Sequence, residues 1–375
     1  MQHLSIPLGP DTPGSTLALD VYSYGPDEPR GRSVYLQAGI HANEAPGMLV
    51  LLHLRERLAA LEEAGRLRGK VVVVPCANPI GLRQIALGLH HGRFDLSSGQ
   101  NFNRNFCSFA DEVLPRLADT AYSDDGALAR SVKAAIQDAL HAIEPATPLE
   151  ALRIALMKAA TGSDIVLDLH CDREACLHVY VNEHQLGWGS DLARRLGAPI
   201  VLHALEQGGA SFDDNIVCEW QKIYERLGRP VDAVPVFAAT VELRGRTDVD
   251  HALAASDADN LIHHFIEQGI VAGEADWPAC MPAEPVLALP LGGVETLRSP
   301  IAGVLVYHAE IGAWVKAGQL VAEILDPSNG AREKLYSAID GFFFARDHER
   351  YVSAGHSVSY IAGESVLKKT GLLSV

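Results

Sequence analysis

Ser33-Val-Tyr-Leu-Gln-Ala-Gly-Ile-His-Ala-Asn-Glu-Ala-Pro-Gly47 is the stretch on which the fold turns. Residues 33–38 are a short β-branched and aromatic run that predicts a buried strand. After Gly39 and a polar loop, Pro46 opens a helical pattern over residues 46–60, with Met48, Leu51, Leu52, Leu54 and Leu58 supplying its apolar face. The same alternation continues outward. Residues 71–74 read as the next strand, helical patterns at 127–143 and 149–160 lead to the apolar run 164–169, and strands are expected at 198–202 and 236–243. Strands alternating with helices predict an α/β body with a mixed, largely parallel central sheet flanked by helices. Ligands in such a sheet lie beyond the carboxyl ends of the strands.

Composition fits this reading. The chain has 375 residues, 48% hydrophobic and 21% charged, enough for a large body plus an appendage. Its 33 Gly and 20 Pro fall in no low-complexity tract. A net charge of −16 repels polyanions, so nucleic acid is not an expected partner. No apolar run approaches the roughly 20 residues that span a bilayer, and residues 1–9 lack the pattern of a signal peptide, so a cytoplasmic protein without a membrane partner is expected. The six cysteines form no CxxC pair, which argues against a zinc knuckle or redox motif. A mean hydropathy of +0.07 is compatible with a homo-oligomer.

The pattern changes near the C-terminus. Pro278, Pro282, Pro285 and Pro290 mark residues 273–290 as a linker, dividing the chain into a body at 1–272 and an appendage at 291–375. Within the appendage Ser299-Pro-Ile-Ala-Gly303 recurs as Ser337-Ala-Ile-Asp-Gly341, and Val315-x-x-Gly318 as Val352-x-x-Gly355, at offsets of 38 and 37 residues. Two such units predict a small all-β domain closed about a pseudo-twofold axis. The pattern resembles the barrel-sandwich hybrid of biotinyl and lipoyl carriers. The junction between the halves, Asp326-Pro-Ser-Asn-Gly-Ala-Arg332, has no lysine to modify.

Polar residues gather at three strand ends. In the first loop His41 and Glu44 are three apart, a spacing that can bring an imidazole nitrogen and a carboxylate to within about 2 Å of one ion. Asp164-Ile-Val-Leu-Asp-Leu-His-Cys-Asp172 brings His170 to the end of an apolar strand. A lone histidine there would serve equally as a hydrogen-bonded core residue. With His41 and Glu44 it completes a His, Glu, His set with an open fourth position, the ligand pattern of catalytic zinc. Asp168 shares its face and is a candidate partner for the imidazole. In Thr240-Val-Glu-Leu-Arg-Gly245, Glu242 ends a third apolar strand, where burial costs a carboxylate unless it has a partner or acts as a general base. The partner alternative is a salt bridge to Arg244 or Arg246.

Residues 78–109 carry Arg83, Arg93 and Arg104 against Asp95 alone, a local balance of +2 in an acidic chain. An arginine fork matches a carboxylate, and an arginine beside a metal can stabilise an oxyanion, so a small anionic substrate is expected here. Arg83, Arg104 and Asn103 are the candidate substrate-binding residues.

Taken together, Gly39-x-His41-x-x-Glu44, Asn78-Pro-x-Gly-Leu82, Asn101-Phe-Asn-Arg-Asn-Phe106, Asp168-Leu-His170 and Val241-Glu242 resemble the succinylglutamate desuccinylase/aspartoacylase family, relatives of the zinc carboxypeptidases. The resemblance covers about residues 30–270, and a β-rich appendage is typical of that family. It implies one Zn2+ held by His41, Glu44 and His170, with Glu242 as general acid/base. It further implies that Arg104 with Asn103 holds a substrate carboxylate and that Arg93 polarises the scissile carbonyl. Where the family reads Asp-Leu-Asn-Arg, this chain reads Asn-Phe-Asn-Arg. Gly208-Gly-Ala-Ser-Phe-Asp213 looks like a mobile loop lining the pocket.

The expected activity is hydrolysis of a linear amide in a small anionic substrate of the N-acyl amino acid type. A zinc carboxypeptidase acting on short peptides is the alternative within enzymes. A carrier or binding protein built on the β-domain is the alternative outside them.

Overall fold

The computed structural model describes residues 1–117, 122–274 and 285–368. It opens with an antiparallel hairpin, β1 (Gln2–Thr12) and β2 (Ser15–Tyr24), followed by β3 (Val34–Ala38), α1 (Pro46–Glu63), β4 (Val71–Val74) and α2 (Pro79–Leu82). A small hairpin of β5 (Ile85–Ala86) and β6 (Leu89–His90) precedes α3 (Ala110–Leu117), α4 (Asp125–His141) and α5 (Pro148–Ala160). Then come β7 (Ile165–Asp172), β8 (Glu174–Ala175), β9 (His178–Asn182), α6 (Leu186–Leu196), β10 (Ile200–Ala204), α7 (Phe212–Arg226), β11 (Phe237–Gly245), α8 (His251–Glu267) and β12 (Leu287–Pro290).

Nine of these strands form one sheet in the order β1-β2-β4-β3-β7-β11-β9-β10-β12. The pairs β4/β3, β3/β7, β7/β11, β9/β10 and β10/β12 are parallel, and the other three are antiparallel, so the mixed, largely parallel expectation holds. Helices cover both faces. Val132, Ile136, Leu152, Ile216 and Trp220 of α4, α5 and α7 pack on one face, and Leu54, Leu58, Leu192, Leu261 and Phe265 of α1, α6 and α8 on the other. The period of two along β7 sends Ile165, Leu167 and Leu169 into the second layer, while Val166 faces the first together with Asp168 and His170. The base of β7 is tied to β3, because the Asp164 carboxylate accepts from Ser33 N (2.7 Å), Ser33 Oγ (2.9 Å) and Lys133 Nζ (2.5 Å).

Two departures from the sequence reading have local causes. The β1–β2 hairpin has no counterpart in the sequence reading, and β1 carries Pro7 and Pro10. Here β1 is an edge strand whose register shifts around both prolines. Residues 275–284, with Pro278 and Pro282, lie outside the described residues, but the end of the expected linker is not a connection. Leu287–Pro290 forms β12 on the edge of the main sheet, beside β10.

The C-terminal unit contains β13 (Val294–Arg298), β14 (Gly303–Tyr307), β15 (Trp314–Val315), β16 (Leu320–Leu325), β17 (Arg332–Tyr336), β18 (Gly341–Arg346), β19 (Tyr351–Val352) and β20 (Ser357–Ala362). Its sheets read β13-β20-β18-β15 and β17-β16-β14-β19, so each half of the sequence repeat lends strands to both. Matching serines do matching work: Ser299 Oγ donates to Ile301 O (2.5 Å) and Ser337 Oγ to Ile339 O (2.7 Å). Val315, Val321, Phe343, Val352 and Ile361 fill the space between the sheets.

This unit is fastened to the body. Phe342, Phe344, Leu291 and Val294 pack against Tyr180, Ile200 and Leu202 of the main sheet. β8, which follows β7 immediately, pairs with β18, and the Glu174 carboxylate there accepts from Arg346 Nε (2.6 Å) and Arg350 Nη2 (2.7 Å). No helix among the described residues is long and apolar enough to cross a membrane. Phe344→Ala should open a cavity in the seam between the two units and cost about 3–5 kcal/mol. Urea unfolding followed by tryptophan fluorescence measures this, and an unshifted midpoint would show that the seam bears no load.

Candidate metal centre

The ends of β3, β7 and β11 are adjacent in the sheet, and this brings the three sequence motifs together. Ala38 pairs with Leu169, and Glu242 stands beside His170 in the parallel register. His41, Glu44 and His170 are all buried, and one ligand atom from each lies within 4.8 Å of the others. His41 Nδ1 is 3.0 Å from Glu44 Oε1, and His170 Nδ1 is 2.9 Å from Glu44 Oε2. Two ligand atoms on one tetrahedral ion stand about 3.3 Å apart, so these His–Glu pairs need to part by only a few tenths of an ångström to admit one.

Hydrogen bonding gives the Nε2 of each ring an acceptor of its own. Asn103 N–H donates to Asn101 Oδ1 (2.9 Å), so that oxygen is an acceptor, and His41 Nε2–H donates to it at 2.9 Å. His170 Nε2 lies 2.9 Å from Asp168 Oδ2, whose other oxygen accepts from Gln37 Nε2 (3.0 Å). Gln37 Oε1 in turn accepts from Tyr35 O–H (2.9 Å). Asn103 Nδ2 is 3.1 Å from the same His170 nitrogen, but the charged acceptor makes the stronger bond and takes the proton. His41 so arranged turns its Nδ1 lone pair toward Glu44, and His170 does the same once it gives up its second proton. Three acceptors in contact repel one another unless a cation sits among them, which is the arrangement a divalent metal requires of its ligands.

The electrostatics agree. Burial pushes the His41 imidazole down to about 4, and Arg93 reinforces this, so the ring is neutral as a ligand must be. Burial alone would raise the Glu44 carboxyl, but His41 and His170 outweigh it and hold it well below the usual range. For His170 burial is again overcome, here by Asp168 and Glu44, so the ring holds a second proton that a metal would have to displace.

Arg93 reaches this group from the cavity side, with Nη1 3.3 Å from His41 Nδ1 and 3.4 Å from Glu44 Oε1. Its loop is clamped to the metal loop: Ala42 N–H donates to Gly92 O (2.8 Å), and a Cβ on Gly92 would come within 2.2 Å of Asn43 N. Asn103 is buried, with Oδ1 accepting from Phe212 N–H (2.9 Å). Arg104 donates from Nη1 to Asn103 O (2.6 Å) and lies across Gly209, at φ +72°, where a Cβ would meet Arg104 Cδ at 2.5 Å. Arg93, Asn103 and Arg104 all line the cavity over the metal group.

Arg83 does not join them. It caps the short helix α2, faces Ser15 Oγ at 3.4 Å and lines a separate cavity with Arg153 and Glu150. The charge count could not distinguish it from Arg93 because direction depends on the turn that Asn78 caps. The segment 208–213 reaches the cavity through Ser211. Gly209 O and Ala210 O accept from Asn105 and Phe106 N–H (2.9 and 3.1 Å), and Phe212 already begins α7.

Glu242 lines the same cavity, and its Oε2 is a buried oxygen with no hydrogen-bond partner. The salt-bridge alternative fails. Arg244, at φ +62°, turns away to Asp257, with Nη1 3.3 Å from Oδ1. Burial raises the Glu242 carboxyl well above its ordinary range, with His170 opposing and Glu44 adding to the rise. Such a group holds a proton readily and releases it when positive charge approaches.

The cavity has a volume of about 510 Å³. Its far wall belongs to the C-terminal unit, through Leu291, Val294, Phe344 and Tyr360. The sequence reading passed over Gln37, which donates to Asp168, and read Asn101 only as a departure from the family motif, although it stands against His41 Nε2. Gln37 left a trace, as the one polar side chain in a fully buried strand.

The two histidines are held unequally, His170 by a carboxylate and His41 by a neutral amide whose Nδ2 has no partner. Asp168→Asn should weaken metal binding about 10- to 100-fold, and Asn101→Asp should tighten it by making His41 a better donor. Competition with a fluorescent chelator measures both, and affinities unmoved by either change would show that these contacts do not tune the ligands.

Residues 30–224, more than half of the chain, match the model of the succinylglutamate desuccinylase/aspartoacylase catalytic domain. The crystal structure of a protein described as a member of that family, from Shewanella amazonensis, is similar at a TM-score of 0.85 and 25% identity, covering 97% of this chain and 99% of that chain. A second, from Shewanella frigidimarina, gives 0.83 at 25% identity over 96% of each chain. The product-bound structure of the ectoine utilization protein EutE (DoeB) from Ruegeria pomeroyi shares the fold, with a TM-score of 0.63 at 19% identity over 96% of this chain and 94% of that chain. No curated protein sequence matches the chain. The domain match, taken with the His41, Glu44 and His170 cluster at the strand ends, means that this chain belongs to the succinylglutamate desuccinylase/aspartoacylase family.

Proposed function

We propose that this chain is a zinc-dependent hydrolase that cleaves a linear amide in a small carboxylated substrate of the N-acyl amino acid type. The observation that carries the reading is the convergence of two imidazole Nδ1 atoms on one buried carboxylate, with the unpartnered carboxyl of Glu242 in the same cavity. A zinc ion held by His41, Glu44 and His170 would supply Lewis acidity, polarising the carbonyl and lowering the pKa of a water.

The remaining steps belong to the protein. Glu242 takes a proton from the attacking water and returns it to the amine nitrogen as the C–N bond breaks. Its raised proton affinity suits the second role, and the cationic neighbour Arg93 favours the first. Arg93 faces the carbonyl oxygen as negative charge develops there, and its partial exposure leaves it free to move with the substrate. Arg104, aided by the rigid Asn103 loop, holds the substrate carboxylate. The wall supplied by the C-terminal unit favours a small molecule over a peptide, and so this reading over a carboxypeptidase.

Glu242→Gln should keep near-stoichiometric zinc while kcat falls roughly 10²–10⁴-fold. Amine release from N-acyl amino acids with parallel metal analysis tests this, and undiminished turnover would remove Glu242 from the mechanism. His41→Ala should lose the ion instead, and a variant retaining full zinc would refute the ligand set. Turnover by the parent protein should stop with a chelator and return with added zinc.

A further inference from the structure

The chemistry proposed above leaves half of the cavity unused. Arg173 and Arg246 follow the ends of β7 and β11, Arg298 ends β13, and Lys368 lies beyond β20; all four line the cavity. Two carboxylates face them, Asp172 in the wall and the buried Asp347 behind it. The surplus is positive in a chain whose net charge is −16.

The sheet order places this cluster opposite the first arginines. The Arg93 and Arg104 loop folds against the segment that follows β3, and Arg246 and the C-terminal unit lie past β11, with β7 and His170 between them. A substrate whose amide sits at the metal group thus meets cations on both sides. The volume of about 510 Å³ lies in the range that holds ligands larger than a short acylated amino acid.

Asp347 organises the second cluster. It is fully buried, yet its Oδ2 lies 2.5 Å from His356 Nε2 and 3.4 Å from Arg173 Nη1, and both of those residues line the cavity. Its own position is fixed, because Oδ1 accepts from Glu349 N–H (2.8 Å) and its carbonyl accepts from Arg350 Nη1 (2.7 Å) and Tyr307 O–H (3.2 Å). Arg298 donates to Gly355 O (3.1 Å), which holds it beside His356. A carboxylate that bridges the two units in this way orders the cations on a rigid frame.

We infer that Asp347 is a positioning residue that aims Arg173 and His356 into a second anion-binding subsite, which takes a carboxylate on the acyl side of the scissile amide. This rests on the amide-hydrolase reading, in which Arg104 and Asn103 take the carboxylate on the amine side. The C-terminal unit then acts as the specificity element of the site.

The test uses the full chain carrying Glu242→Gln, so that ligand is bound and not consumed, with isothermal titration of N-succinyl-L-alanine and N-butanoyl-L-alanine. These differ in the distal carboxylate. The succinyl compound should bind about 10- to 100-fold more tightly, the worth of one charge-assisted contact. Asp347→Asn and Arg173→Ala should each remove most of that preference while butanoyl binding changes by less than about threefold, and Asp347→Glu should restore part of it. Equal binding of the two compounds, no binding of either, or a preference that survives both Asp347→Asn and Arg173→Ala would overturn the subsite. With residue 242 as glutamate, amine release from both compounds without preference would sink the subsite and leave the hydrolase standing. Preferential binding without amine release in the presence of zinc would do the reverse.

Discussion

Two imidazole Nδ1 atoms converge on the two oxygens of Glu44, and each ring has an acceptor at its other nitrogen. Acceptor against acceptor in a buried site costs several kcal/mol unless a cation intervenes. Arg93 supplies positive charge only from one side and no nearer than 3.3 Å. The proton drawn to His170 by Asp168 and Glu44 occupies the same place a metal would, and the two compete. The polar chain Tyr35, Gln37 and Asp168 runs through the core of the sheet to maintain this arrangement, at a desolvation cost that only a function explains.

A parallel arrangement at the centre of the sheet is what lets three distant segments meet. β3, β7 and β11 run side by side, so their carboxyl ends open onto one rim, and the side chains that terminate them share one pocket. The bulge between Glu242 and Gly245 then separates two fates: Arg244 turns outward to Asp257, and Arg246 turns into the cavity. The C-terminal unit completes the enclosure from the other side.

Much of this was legible in the sequence because it depends on local pattern. The run Val71–Val74 is a strand as expected, and the metal-binding motifs stand at strand ends where a change of period marks them. The repeat from Ser299 and Ser337 predicted a twofold unit, and each half lends strands to both small sheets. What escaped depends on direction and on long-range partners. Arg83 and Arg93 are equivalent in a count of charges, but one follows a capped turn that sends it to the outside. Residues 2–24 carry no strand reading, and β1 accommodates Pro7 and Pro10 because edge strands tolerate what central strands do not. Asn101, read only as a departure from the family motif, proves to be the acceptor that sets the tautomer of His41. Asp347, more than a hundred residues from the motifs, carries no sequence signal for its contact with Arg173.

The account stands on one ion at one place. Crystals of the protein grown with zinc and measured on both sides of the zinc absorption edge test it most directly. A single anomalous peak about 2.0–2.2 Å from His41 Nδ1, Glu44 and His170 Nδ1 is the predicted result. A map with no peak among those three side chains, or with zinc bound only elsewhere, would contradict it.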